Sequence, residues 1–125
     1  MIMRRFFSRP EESRGPRPGI TPPIIVDEQG TATVFESVED AERYLEPIDV
    51  RNGEYVAYDS EGRLLRLLPT SPRITIENAD LEPHHANEVR ELLVRLLSYT
   101  GVPVEILRSE SLQELVARSL EYKTK

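Results

Sequence analysis

The stretch from Gly53 to Pro69, GEYVAYDSEGRLLRLLP, restricts the fold more than any other part of the chain. It reads as two strands joined by a tight turn at Asp59-Ser60-Glu61-Gly62. Asp is favoured where such a turn starts, and Gly62 accepts the positive φ where it ends. Side chains alternate along a strand, so Val56 and Tyr58 share one face and Tyr55 and Ala57 the other. On the return strand Leu64 and Leu68 lie on one face, Leu65 and Leu67 on the other. Apolar weight on both faces predicts a central strand covered on both sides, or an open face that meets a partner.

The neighbouring segments supply the rest of a sheet. Ile24-Ile25-Val26 is a short β-branched run, Asp27-Glu28-Gln29-Gly30 carries a hairpin-turn pattern, and Thr31 to Phe35 reads as the returning strand. Ser37 with Asp40 approximates a capping box and opens a first helix, with Val38, Ala41 and Leu45 on one face. That helix must stop by Glu46, because Pro47 disfavours helical geometry in the residue before it. Arg73-Ile74-Thr75-Ile76-Glu77 alternates as a fifth strand with its isoleucines inward. A second helix is expected from Pro83 at its first position, with Ala86, Val89, Leu93, Leu96 and Leu97 as its buried stripe, ending before Gly101 and Pro103. Val104-Glu105-Ile106-Leu107 is an extended link or a short sixth strand. Ser111 and Glu114 form a capping box that opens a last helix. The order ββαβββαα predicts an α+β fold, an antiparallel sheet of about five strands with three helices packed on it.

One domain suits the 125 residues. Residues 24–125 are assigned to it, and residues 1–23, with five of the ten prolines, to a flexible basic arm. Residues 1–19 hold five Arg against two Glu, whereas the remainder holds eleven Lys or Arg against twenty Asp or Glu. An acidic domain argues against nucleic-acid binding and suits a basic protein partner. The absence of cysteine excludes disulfides and thiol chemistry and makes a reducing, cytoplasmic setting the expectation. No apolar run is long enough to cross a membrane, and Arg4-Arg5-Phe6-Phe7 lacks the apolar stretch of an export signal.

Chemistry-bearing patterns are few. His84 and His85 are adjacent and diverge by about 100° on a helix, so they do not readily share a metal ion. His84 and Glu88 share a face, which leaves a third ligand to be found elsewhere. A nucleophile motif and a glycine-rich phosphate loop are both missing from the sequence. No catalytic residue, metal or cofactor is therefore assigned. The acidic residues Glu36, Glu39, Asp40, Glu42, Glu46 and Asp49 surround the first helix with Arg43 as the one opposing charge. Read functionally, they form a negative surface for a basic partner; read structurally, they are the solvated face of an amphipathic helix. Tyr55 and Tyr58, on opposite sides of one strand, extend the candidate partner-binding set, since exposed Tyr beside acidic charge is a common interface composition.

Tyr58-Asp59-Ser60-Glu61-Gly62-Arg63-Leu64-Leu65 resembles a strand pair common in Nudix hydrolases. That family's metal-binding helix does not follow, because Val94 and Arg95 stand where its acidic ligands belong. The enzyme reading is rejected on that ground. The segment from Ser37 to Leu68 resembles small bacterial immunity proteins of toxin–immunity systems. The resemblance implies a non-enzymatic protein, monomer or homodimer, that neutralises one protein partner, a basic toxin domain, by occluding it. The alternative is a small-ligand-binding or regulatory module with a pocket between sheet and helices beside Tyr55 or Tyr58.

Overall fold

A computed structural model describes residues 17–123. Among these residues five strands form one sheet: β1 (Ile24–Glu28), β2 (Thr31–Phe35), β3 (Val56–Tyr58), β4 (Leu64–Leu68) and β5 (Thr75–Asn78). Every neighbouring pair is antiparallel, in the order β2-β1-β3-β4-β5. The helices are α1 (Val38–Tyr44), α2 (Pro47–Arg51), α3 (Ala86–Leu97), α4 (Val104–Ser109) and α5 (Leu112–Lys123). A 3-10 turn, Ser98–Thr100, ends α3 before Gly101 at φ 91°. The α+β architecture expected from the sequence is the one observed. Three helices have seven residues or more, and the short α2 and α4 are additional.

Strand alternation divides the core into two layers. Ile24, Val26, Phe35, Ala57, Leu65 and Ile76 point to the side covered by α1, where Val38, Ala41 and Leu45 meet them. Ile25, Ala32, Val34 and Tyr58 point to the other side, against Val89, Leu93 and Leu97 of α3, Leu107 of α4 and Leu115 of α5. The two-sided apolar pattern of β4 follows from this. Leu65 and Leu67 belong to the α1 side, and Leu64 packs on the α3 side. Helices therefore cover both faces, and Leu64, Leu65 and Leu67 are packed by them.

The turn after β3 is built on Asp59, which is fully buried. Its carboxylate accepts hydrogen bonds from the backbone N–H groups of Thr21 (3.1 Å), Glu61 (3.0 Å) and Arg63 (2.9 Å). It also accepts one from the Arg63 guanidinium at 3.0 Å. A buried carboxylate needs this many donors, because each lone pair left dry costs free energy. Gly62 sits at φ +97°, and a Cβ there would lie 2.5 Å from the backbone nitrogen of Ala86. The close approach lets the Gly62 carbonyl accept from the His85 N–H at 2.9 Å, which fixes the entry to α3.

That contact explains one correction. Helix α3 begins at Ala86 with His85 at its N-cap, not at Pro83. The preceding residues are drawn into turns, with Glu82 N–H donating to Asp80 and His84 N–H to the Glu82 carbonyl. A second correction concerns Val104–Leu107, which is helical and not a strand. Leu107 N–H donates to the Pro103 carbonyl at 3.2 Å, and the Leu107 side chain is fully buried. Pro47 stops α1 as expected but also opens α2, because its fixed φ suits a first helical position. The capping residues behave as read. Ser37 Oγ accepts from Asp40 N–H, and Ser111 and Glu114 exchange two hydrogen bonds at the start of α5.

The basic arm expected over residues 1–23 lies outside the described residues as far as residue 16. From Arg17 onward the chain is packed: Ile20 is buried in the α1-side layer, and Thr21 is tied to the Asp59 turn.

Candidate functional site

The eight residues singled out from the sequence do not form one surface. Arg17 takes two of them. Its guanidinium pairs with both oxygens of Glu42 at 3.0 Å and lies 3.8 Å from Glu39. The hydrogen bond to Glu42 raises the Arg17 pKa above its ordinary value. Asp40 pairs with Arg43 on the exposed side of α1. Asp49 accepts from the Tyr55 hydroxyl at 3.3 Å, and partial burial, then the charge of Asp49, pushes the Tyr55 pKa up to about 12. Tyr58 lies on the opposite side of the sheet, in the α3 layer, and is only 7% exposed. Glu36 and Glu46 are exposed.

Glu42 thus has a structural task. Beyond Arg17, it accepts the backbone N–H of Ile76 at 2.8 Å, on the outer edge of β5. No local pattern announces this contact, which joins residues 34 apart.

A charged groove lies elsewhere, at one end of the α3 side of the sheet. The β1–β2 turn and the first turns of α3 flank a groove of about 530 Å3. Asp27, Glu88 and Glu91 supply three carboxylates, and Tyr58 and Leu92 supply its apolar lining. Arg95 also lines it, but its guanidinium donates to the Gly30 carbonyl at 2.8 Å. Burial, then the charges of Glu88 and Asp27, raise the Tyr58 pKa, which keeps the phenol a neutral donor. Glu88 is itself held below the ordinary carboxylate range, first by a backbone N–H and then by His85, 3.3 Å away. Glu88 and Glu91, three apart on α3, share an outward face. That spacing was the signal available in the sequence for this groove.

Both histidines precede the first residue of α3 and turn to different partners. His84 Nδ1 pairs with Asp80 at 2.9 Å rather than with Glu88, and the His85 ring packs on Tyr58 with centroids 5.6 Å apart. Among the described residues no group of three His, Asp or Glu side chains is arranged to hold a metal ion. No described helix is long and apolar enough to cross a membrane.

No protein-family model, curated protein or solved structure matches the chain.

Proposed function

We propose that this chain is a non-enzymatic protein-binding protein of the immunity type, which occludes a basic surface of a toxin partner in the cytoplasm. The observation that carries the reading is the groove edged by Asp27, Glu88 and Glu91. Asp27 and Glu88, with Glu91 already paired to Arg108 at 2.6 Å, set carboxylates around an apolar floor that suits the head and alkyl stem of an inserted Lys or Arg side chain. Exposed Glu36 and Glu46 add steering charge around α1, whereas Glu39 and Glu42 are occupied by Arg17 and hold the fold. A small cationic ligand is the second reading, favoured by a groove volume within the range of ligand sites.

Capture of partners from native lysate with Glu88→Lys/Glu91→Lys and, separately, Glu36→Lys/Glu46→Lys tests the proposal. Loss of a specific protein with the groove pair, at unchanged thermal stability, supports it. Retention of every captured protein by both pairs sinks it. A ligand that copurifies with the wild type and is lost with the groove pair supports the second reading.

A further inference from the structure

Granted the groove as the partner's binding site, we infer that it takes a primary ammonium in preference to a guanidinium, and that the Tyr58 hydroxyl makes the choice. Tyr58 is only 7% exposed, belongs to the α3-side layer and has the His85 ring against it. It lines the groove, and among the described residues its hydroxyl has no hydrogen-bond partner. A buried phenol ordinarily finds a mate for its polar end. Tyr55, three residues earlier, does so, because Asp49 accepts from its hydroxyl. The Tyr58 hydroxyl instead lies where the charges of Glu88 and Asp27 act on it. Three elements thus bring acceptors to one groove: Asp27 from β1, Tyr58 from β3 and Glu88 from α3.

These acceptors do not suit a guanidinium, which pairs best in a plane with both oxygens of one carboxylate. No carboxylate of the groove has both oxygens free. Asp27 Oδ1 accepts from the Gly30 N–H at 2.7 Å. Glu88 Oε2 faces His85 Nδ1 at 3.3 Å, and Glu88 also draws on a backbone N–H. Glu91 Oε2 is taken by Arg108 at 2.6 Å. The full fork occurs elsewhere in the molecule, where Glu42 gives both oxygens to Arg17 and Glu110 both to Arg118. An ammonium has three N–H donors and takes one acceptor for each. The remaining lone pairs of Asp27 and Glu88 and the neutral phenol oxygen of Tyr58 are three such single acceptors. Leu92 gives the alkyl stem an apolar wall. Arg95 lines the same groove but turns to the Gly30 carbonyl at 2.8 Å, which leaves these acceptors to a guest.

Chemical-shift titration of the full chain at neutral pH with n-butylamine and, separately, n-propylguanidine tests the inference. The wild type should bind n-butylamine about tenfold more tightly, with shifts at Asp27, Tyr58 and Glu88. Tyr58→Phe keeps the ring against His85 and removes only the hydroxyl. It should weaken n-butylamine by about tenfold, leave n-propylguanidine largely unchanged and leave thermal unfolding where it was. Two further arms separate the sources of the ammonium. A protein captured by the wild type and released by n-butylamine but not by n-propylguanidine assigns the guest to a lysine side chain. A small amine that mass spectrometry finds with the purified wild type, and not with Tyr58→Phe, assigns it to a free ligand. Equal binding of the two cations, binding of neither, or a preference that survives Tyr58→Phe overturns the inference. The groove as a partner site falls separately, when Glu88→Lys/Glu91→Lys leaves capture unchanged.

Discussion

Arg17 and Glu42, joined by two hydrogen bonds of 3.0 Å, close around the backbone of Ile76 on the last strand of the sheet. Arg17 donates to the Ile76 carbonyl, and Glu42 accepts from its N–H. The pair does for one residue what another strand would do for a row. It also fastens the segment before β1 and helix α1 to the same edge.

Removing either partner strands the other beside a backbone group that has lost its mate. Arg17→Ala and Glu42→Gln should each destabilise the fold by about 2 kcal/mol. The double variant should cost clearly less than the sum, because the second change removes a group already unpaired. Denaturant unfolding of the four proteins measures this, and the Ile76 amide should exchange faster in both single variants. Additive costs would show that the two side chains act separately.

The Asp59 turn makes a second prediction. Asp59→Ala leaves three N–H groups and the Arg63 guanidinium without their acceptor, and should cost about 3 kcal/mol. Gly62→Ala should cost about 1–3 kcal/mol through a different cause, the clash of a Cβ with the Ala86 backbone at positive φ. Thermal unfolding ranks the two. Gly62→Ala should also expose the first turn of α3 to exchange, whereas a neutral outcome would mean that α3 can shift away from the turn.

Alternation and capping carried most of the fold in the sequence. The five strands, the Ser37 and Ser111 caps and the stripe of α3 are local patterns, each fixed by neighbours within about four residues. What escaped is non-local. Pro83 looked like a helix start because the pull of Gly62 on His85 comes from a distant turn. Val104–Leu107 has β-branched residues but folds as a helix once Leu107 is drawn into the core between α3 and α5. The partner-binding set failed to gather for the same reason. Charge around α1 is visible in the sequence, but Arg17 neutralising Glu42 across 25 residues is not. Tyr58 sits on the far side of the sheet from α1, and only the assignment of sheet faces to helices reveals that.

Acid should weaken the fold through Glu110. Arg118 holds that carboxylate at 2.7 Å through both oxygens and keeps its pKa below the ordinary 4.5. A carboxylate depressed in the folded state adds stability above its unfolded pKa and loses it as pH falls through the folded value. The wild type should therefore lose stability as pH drops below 4.5, and Arg118→Gln should lose less over that interval. Chemical unfolding at a series of acidic pH values compares the two slopes. Equal slopes would show that the pair is too well solvated to matter.

Alkali should act through Tyr55 in the opposite sense. Partial burial and the nearby Asp49 raise its pKa from 10.0 to about 12, so the folded state keeps the phenol proton longer than the unfolded chain does. A raised pKa adds stability that is complete below the unfolded value and is lost as pH climbs through the folded one. Between pH 10 and 12 the wild type should lose stability steadily, while Tyr55→Phe, which has no proton to release, should show a shallower decline. Phenolate absorbance should show late-ionising tyrosines in the wild type, Tyr58 among them, and the step that belongs to Tyr55 should be missing from Tyr55→Phe. Asp49→Asn should move that late step to lower pH, since it removes the charge that opposes the phenolate. A late step unchanged by Asp49→Asn would leave burial and the more distant charges of Glu28 and Glu54 as its causes.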